Sequence, residues 1–157
     1  MRVGIAGAGA IAMGYAALLL DRGHCPMIWS PSGKRTASLV AGVTLKVSGA
    51  INGEYRPDIA PSANVLAENE IIVIALPANG YRLVIDQLVP VLGSEHTVIF
   101  SGHLSFGALY LAKRLAERNV EISIGVWNTT VLTSKASDPT TIKVGASVVA
   151  ARNARSF

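Results

Sequence analysis

The feature that most constrains this chain is a glycine-rich turn that follows a short apolar segment near its beginning. Residues 2–6 form an apolar run that predicts a strand, and Gly7-Ala8-Gly9-Ala10-Ile11-Ala12 comes directly after it. Residues 10–21 then place apolar side chains at helical spacing. The pattern therefore predicts a strand, a tight turn of the G-x-G-x-x-A form and a helix.

A turn of this form between a strand and a helix indicates a site for a dinucleotide. Gly7 permits the tight turn, Gly9 lets the backbone approach a pyrophosphate, and Ala12 is small enough for close packing of helix and strand. The helix N-terminus adds unpaired N–H groups and the positive end of a dipole. The alternative is that the small residues serve packing alone. We expect contacts to the cofactor from Gly7, Ala8, Gly9, Ala10 and Ile11.

The remaining sequence alternates predicted strands and helices, and its length of 157 residues suits one domain. Strands are predicted at 25–29, 70–76, 96–101 and 120–126, and helices at 33–41, 62–68, 79–92 and 104–118. The strand centres are continuously apolar, which is typical of a parallel sheet covered on both faces. Residues 42–61 predict a hairpin or irregular strands, and a strand-like region surrounds Gly145.

These elements predict an α/β fold with a doubly wound, mainly parallel sheet of the Rossmann type, in a single domain. We expect residues 1–150 to form this dinucleotide-binding domain and residues 151–157 to form a tail.

The end of the second predicted strand selects the type of dinucleotide. An acidic residue about 20 positions after the glycines would bind the ribose hydroxyls of NAD, but no acidic residue lies between Asp21 and Glu54. Hydroxyl and cationic side chains suit a 2′-phosphate instead, so the sequence favours NADP(H) over NAD(H). A solvated helix start with exposed cations is the alternative. The predicted contacts here are Ser30, Ser32, Lys34 and Arg35.

Two further segments follow predicted strands, at the sheet edge where ligands bind in open α/β folds. We expect cofactor contacts from Leu76, Pro77, Ala78 and Ser101, although ordinary loops would have similar sequences. His103 is a candidate acid or base, because hydride transfer to a carbonyl or imine needs a proton donor or acceptor nearby. A lone histidine in a loop is more often simply solvated.

Composition argues against several other classes of protein. The formal net charge is +4, but lysines and arginines are scattered and not interleaved with aromatic residues, which disfavours nucleic-acid binding. No apolar run approaches the roughly 20 residues that span a membrane. Cys25 is the single cysteine and no Cys/His cluster has metal-ligand spacing, so we expect no metal site and a cytoplasmic location. Cys25 starts a predicted buried strand and is expected in the core.

The order of these motifs resembles the N-terminal domain of the octopine and nopaline (opine) dehydrogenase family. The resemblance rests on residues 7–12, Ile-Val-Ile-Ala-Leu-Pro-Ala at 72–78, Ser-Gly-His-Leu-Ser-Phe-Gly-Ala-Leu at 101–109, and Trp127-Asn128-Thr129-Thr130. The resemblance implies a Rossmann fold and NADP(H) or NAD(H) as the cofactor. It also implies that the reaction is the reductive condensation of an amino acid with a 2-oxo acid. It also implies that Asn128 and Thr129 contact the substrate. Ketopantoate reductases and β-hydroxyacid dehydrogenases share the first turn and are the nearest alternatives.

The sequence departs from this family in two ways. Lys135 stands where an arginine is expected, and Val126 replaces an acidic residue. Members of the family also continue into a helical domain that contains the catalytic residues, and we expect residues 1–157 to contain no counterpart of it. We therefore expect the chain alone to bind the cofactor with little or no turnover, and a separate substrate-domain chain to restore activity. A homodimer is the other expected assembly. The alternative is a free-standing module that senses NADP(H) and acts through a protein partner; a vestigial fold without a ligand is a third.

Overall fold

A computed structural model describes residues 1–102 and 106–147, so the candidate acid or base His103 and the predicted tail lie outside the described residues. In the described part of the chain, six parallel strands form the main sheet in the order β5-β2-β1-β6-β7-β8. Their bounds are β1 (Arg2–Ala6), β2 (Cys25–Trp29), β5 (Asp58–Ile59), β6 (Ile71–Ile74), β7 (Thr97–Phe100) and β8 (Ser123–Val126). The order reverses after β1, which confirms the predicted doubly wound α/β fold.

Helices cover the sheet because alternate residues of each buried strand point to opposite faces. Ile72 and Ile74 contribute to one apolar cluster with the third, fourth and fifth helices, while Val73 contributes to the other with the first. The helices are α1 (Ala10–Asp21), α2 (Ala37–Val40), α3 (Ala63–Leu66), α4 (Tyr81–Leu88) and α5 (Gly107–Ala116). Short 3₁₀ turns at Ala78–Gly80 and Val89–Val91 flank α4. Within the described ranges, no helix is long and apolar enough to cross a membrane.

A second, four-stranded sheet lies against α1. Its strands are β3 (Leu45–Gly49), β4 (Gly53–Tyr55), β9 (Leu132–Asp138) and β10 (Thr141–Ser147), in the order β4-β3-β10-β9. The β3–β4 pair confirms the hairpin predicted within residues 42–61, and β10 confirms the strand around Gly145. Neither β9 nor the sheet as a whole was predicted from the sequence.

Close packing of this sheet on α1 depends on a glycine. A Cβ atom at Gly14 would lie only 2.7 Å from Cδ1 of Leu132 on β9. The burial of six consecutive residues of α1, from Ala12 to Ala17, has the same cause, since the helix packs between two sheets.

Two local predictions need correction. The short helix predicted at 33–41 is present but is confined to Ala37–Val40, because Gly33 has a left-handed φ of +62° and starts a separate turn in which the Thr36 N–H donates to its carbonyl at 3.1 Å. Cys25 was expected in the core but is exposed, because it is the first residue of β2.

Candidate functional site

The glycine-rich turn occupies the carboxyl end of β1, in the centre of the main sheet. The Gly7 N–H donates to the carbonyl of Trp29 at 2.8 Å, which joins the turn to the end of β2. Gly7 has a φ of +138°, and a Cβ there would collide with the carbonyl oxygen of Ala75 at the end of β6. Glycine is therefore required at this position by the fold itself.

The second glycine of the turn has a different role. Gly9 is the N-cap of α1, and its φ of −86° and ψ of 179° suit any residue. Among the described atoms, a Cβ at Gly9 would come within 4 Å only of Nη1 of Arg35, at 3.9 Å. Neither backbone strain nor packing explains this glycine, whose missing side chain leaves open space in front of the helix.

The beginning of α1 is suited to an anionic ligand. No side chain in the described residues caps its N-terminus, and its first turn contains no acidic residue. The first N–H groups of the helix are thus left for a ligand, and the helix dipole favours negative charge at this end. Open space at Gly9 allows a phosphate to approach those groups closely.

A cavity of about 230 Å³ lies in front of this turn. It brings together predicted contacts that are distant in sequence, because Ala8, Gly9 and Ala10 line it with Arg35. Arg35 is exposed and makes no ion pair with any residue that the structure describes. Its guanidinium is therefore available to bind an anion beside the turn. Lys34 is exposed and does not line this cavity.

The opposite wall of the cavity was missed by sequence reasoning. It is formed by Ala136, Ser137, Asp138 and Pro139, at the tip of the β9–β10 hairpin. The Asp138 carboxylate accepts hydrogen bonds from the N–H of Thr140 at 2.8 Å and from its hydroxyl at 3.0 Å. These bonds, together with hydrogen bonds from Thr141, hold the pKa of Asp138 below its usual value. The cavity thus contains one cationic and one anionic side chain at neutral pH. No local pattern could have indicated Asp138, since its place depends on the second sheet.

The other predicted cofactor residues lie along the same sheet edge. Leu76 follows β6 beside the turn, with its Cβ 3.5 Å from the position that a Cβ of Gly7 would occupy. Pro77 is exposed and Ala78 half-buried, at the start of a 3₁₀ turn. Ser101 is buried, and its N–H donates to the carbonyl of Ile74 at 3.0 Å. Ser30 and Ser32 follow β2, half-buried and exposed respectively.

The segment after β8 is fixed against α1. The Trp127 N–H donates to the carbonyl of Phe100 at 3.0 Å, and the Trp127 ring packs on Tyr15 with centroids 5.8 Å apart. The Tyr15 hydroxyl accepts from the Val131 N–H at 3.1 Å, and burial raises its pKa despite that bond. The predicted substrate contacts Asn128 and Thr129 are exposed within this segment.

A second cavity, of about 540 Å³, adjoins the last part of the turn. Ile11 is the residue of the glycine-rich turn that lines it. The remaining lining comes from the segment after β8 and from β9 and β10: Thr130, Thr133, Ser134, Lys135, Lys143 and Gly145. The two cavities therefore share the turn and the β9–β10 hairpin as walls.

Comparison with family models gives no match. Among curated proteins, the chain is 34% identical over 115 residues to glycerol-3-phosphate dehydrogenase [NAD(P)+] of Listeria monocytogenes, covering 68% of this chain and 31% of that protein. The chain thus spans about a third of the length of the curated relatives that it matches.

Solved structures show the fold of this chain. Octopine dehydrogenase with NADH and pyruvate matches with a TM-score of 0.79 and 12% identity, over 94% of this chain and 41% of that one. A PanE/ApbA family ketopantoate reductase from Ralstonia eutropha matches with a TM-score of 0.68 and 13% identity, over 91% and 46%. The resemblance to octopine dehydrogenase inferred from sequence motifs is confirmed for the fold.

Proposed function

We propose that residues 1–150 are the NADP(H)-binding domain of an opine-type oxidoreductase, which condenses an amino acid with a 2-oxo acid reductively. The observation that carries the proposal is Gly9, whose only evident use is to leave space for a ligand at the uncapped N-terminus of α1. The fold likeness to octopine dehydrogenase and the sequence likeness to an NAD(P)+-dependent dehydrogenase support it.

The residues present fit a nicotinamide dinucleotide. The turn from Gly7 to Ile11 would hold the pyrophosphate on backbone N–H groups. The segment 76–78 and Ser101, which end neighbouring strands, would hold the nicotinamide half. When bound, the cofactor supplies or accepts a hydride; the chain binds it, orients it and limits the access of water.

Arg35 supports NADP(H) over NAD(H), because it reaches the turn and makes no ion pair with the described residues. Lys34, Ser30 and Ser32 would complete the 2′-phosphate site, since they follow β2 in the same loop. Asp138 opposes this preference, because its carboxylate lines the same cavity as Arg35. We assign the stronger effect to Arg35, because its guanidinium can donate hydrogen bonds to the phosphate directly, whereas Asp138 acts on the phosphate only through its charge.

We further propose that turnover requires groups outside residues 1–150, on a second domain, a separate chain or a second copy. The chain spans 31% of its curated relatives, which supports this view. Leu83, Phe106 and Leu109 are exposed on α4 and around the start of α5, and suit burial by such a partner. A cytoplasmic location remains a prediction from the single cysteine.

One alternative is the cofactor domain of a glycerol-3-phosphate dehydrogenase, which the 34% identity favours. A second is a ketopantoate reductase-like or β-hydroxyacid dehydrogenase-like domain, as in the reductase that shares this fold. A third is a free-standing sensor of NADP(H) that acts through a protein partner, which the exposed apolar side chains would also suit.

Calorimetric titration of the chain with NADPH and with NADH tests the proposal. We expect NADPH to bind about tenfold more tightly, and Arg35→Gln to remove that preference, because a hydrogen bond between a guanidinium and a phosphate contributes about 1.4 kcal/mol or more. Lys46→Gln is the matched control, since Lys46 is an exposed cation on β3, outside both cavities. The proposal fails when neither dinucleotide binds at millimolar concentration.

A further inference from the structure

Two lysines face each other across the β9–β10 ladder, which is an unfavourable arrangement for the sheet. Lys143 pairs directly with Lys135 in this antiparallel register. Side chains paired in this way have Cβ atoms about 4.5–5.5 Å apart, and like charges there destabilise the sheet. Neither lysine makes an ion pair within residues 1–102 and 106–147. The fold itself gives no reason for placing these two charges together.

The third lysine of this sheet has a neighbour of opposite charge. Lys46 on β3 pairs with Glu54 on β4, so opposite charges face each other there. Ser48, also on β3, pairs with Lys143, so a neutral hydroxyl and a second ammonium flank Lys143 on its two sides. Uncompensated positive charge is therefore concentrated at Lys135 and Lys143 and not spread over the sheet.

Both lysines line the 540 Å³ cavity that Ile11 of the glycine-rich turn also lines. Hydroxyl groups of Thr130 and Thr133 line it too, and can donate hydrogen bonds to an anion. Ser134 also lines the cavity, but its buried Oγ faces α1, 3.4 Å from the position that a Cβ of Gly14 would occupy. Two cations and the two threonine hydroxyls around one cavity form a set of donors suited to a carboxylate or a phosphate.

Position links this cavity to the proposed cofactor. Ile11 lines it, while the preceding three residues of the turn line the cavity that contains Arg35. An anion bound by the two lysines would thus lie next to the segment that we propose holds the pyrophosphate. A small molecule anchored there is placed beside the cofactor and not at a remote surface.

We infer that Lys135 and Lys143 form the site for the anionic group of the substrate, either a carboxylate or a phosphate. That the anion belongs to a substrate rests on the proposed function. That the two lysines bind an anion is argued from the positions of their side chains on β9 and β10 alone. The bound anion neutralises the repulsion between the two ammonium groups, so ligand binding and stability of the hairpin are coupled.

The test is titration of the ¹⁵N-labelled full chain with inorganic phosphate and, separately, with pyruvate, monitored by amide chemical shifts, with and without NADPH. We expect the largest shifts at Thr133, Lys143 and Gly145. Lys135→Gln and Lys143→Gln should each weaken binding about fivefold, the effect of losing about 1 kcal/mol from an exposed charge-assisted contact. The variant with arginine at both positions should retain binding, and Lys46→Gln is the matched control.

The outcomes separate this site from the cofactor site. Largest shifts at Gly9 and Ala10 would mean that the anion binds the glycine-rich turn, which overturns the inference and leaves the proposed function standing. Equal weakening by Lys46→Gln would mean unspecific attraction by positive charge and also overturns it. Anion binding at the lysines without any NADPH binding supports the anion site and refutes the proposed function. Tighter binding of phosphate or of pyruvate identifies which group the site accepts.

Discussion

Replacing Gly9 by alanine separates a role in folding from a role in ligand binding. The new methyl group would have one described neighbour within 4 Å, Nη1 of Arg35 at 3.9 Å, and the backbone there already suits alanine. Alanine is a poorer N-cap than glycine by about 0.5–1 kcal/mol, whereas the loss of freedom in the unfolded chain stabilises by about 0.4–1 kcal/mol. These terms nearly cancel, so we expect the free energy of unfolding to change by less than about 0.5 kcal/mol.

Affinity for the dinucleotide should respond very differently. The methyl group would occupy the space through which a pyrophosphate reaches the first N–H groups of α1. Loss of two hydrogen bonds to a charged oxygen, at about 1.5 kcal/mol each, corresponds to about 3 kcal/mol or roughly 150-fold in Kd. Urea unfolding and calorimetric titration with NADPH measure the two quantities on the same preparation.

The matched control is Gly7→Ala, in the same turn. Its left-handed φ and the collision with the Ala75 carbonyl predict a loss of about 2–4 kcal/mol in stability, from backbone strain and overpacking. Should Gly9→Ala bind NADPH within about threefold of the parent chain, the open space is not used by the ligand and our reasoning is wrong. A large fall in the stability of Gly9→Ala would contradict the structural argument instead.

Three further changes test the segments around the site. Gly14→Ala should destabilise the chain by about 1–3 kcal/mol in urea unfolding, because the new Cβ overlaps β9. Tyr15→Phe should cost about 1 kcal/mol at neutral pH, since the Val131 N–H loses its acceptor in a partly buried position; no change would show that water replaces the hydroxyl. Asp138→Asn should raise affinity for both dinucleotides, and for NADPH more than for NADH, because it removes a negative charge from a cavity that would hold the pyrophosphate of either and the additional 2′-phosphate of NADPH. Because the pKa of Asp138 is lowered on folding, its ionised form stabilises the chain above the unfolded pKa, and that stabilisation is lost as the pH falls through the folded pKa. The difference in stability between the parent chain and Asp138→Asn should therefore shrink on acidification, as followed by thermal unfolding.

Local patterns predicted the first βαβ unit well. The bounds 2–6, 10–21 and 25–29 coincide with β1, α1 and β2, because apolar periodicity and glycine punctuation act within a few residues. They predicted the second sheet poorly. Strand β9 has a polar sequence, and β10 pairs in parallel with β3, almost a hundred residues earlier, so neither element has a local signal. Gly14 was the one available hint, since an isolated glycine inside a helix often marks a close approach of another element.

The same division applies to the candidate site. The turn from Gly7 to Ile11 and the cation Arg35 could be proposed from the sequence, because the carboxyl ends of adjacent parallel strands meet at one edge. Asp138 and the pair Lys135 and Lys143 could not, because the hairpin returns them to that edge through tertiary packing. Their side chains are polar and exposed, as those of ordinary solvated residues are. Lys135 stood out in the sequence only as a departure from the resembled family, and no local pattern connected it with Lys143 or Asp138.

The β9–β10 hairpin therefore forms a wall of both cavities, and its packing on α1 should determine the shape of each. Gly14 permits this close packing. Asp138, at the tip of the hairpin, lines the same cavity as Arg35. Lys135 and Lys143, in the middle of its strands, line the other cavity. A change at Gly14 that lifts the hairpin should weaken both dinucleotide and anion binding, although Gly14 lines neither cavity. Changes at either lysine should affect the anion alone. The hairpin is a common wall of both cavities if Gly14→Ala lowers the affinities for NADPH and for phosphate, while Lys143→Gln lowers the affinity for phosphate alone. If Gly14→Ala lowers neither affinity, the two cavities form without the hairpin's contact with α1.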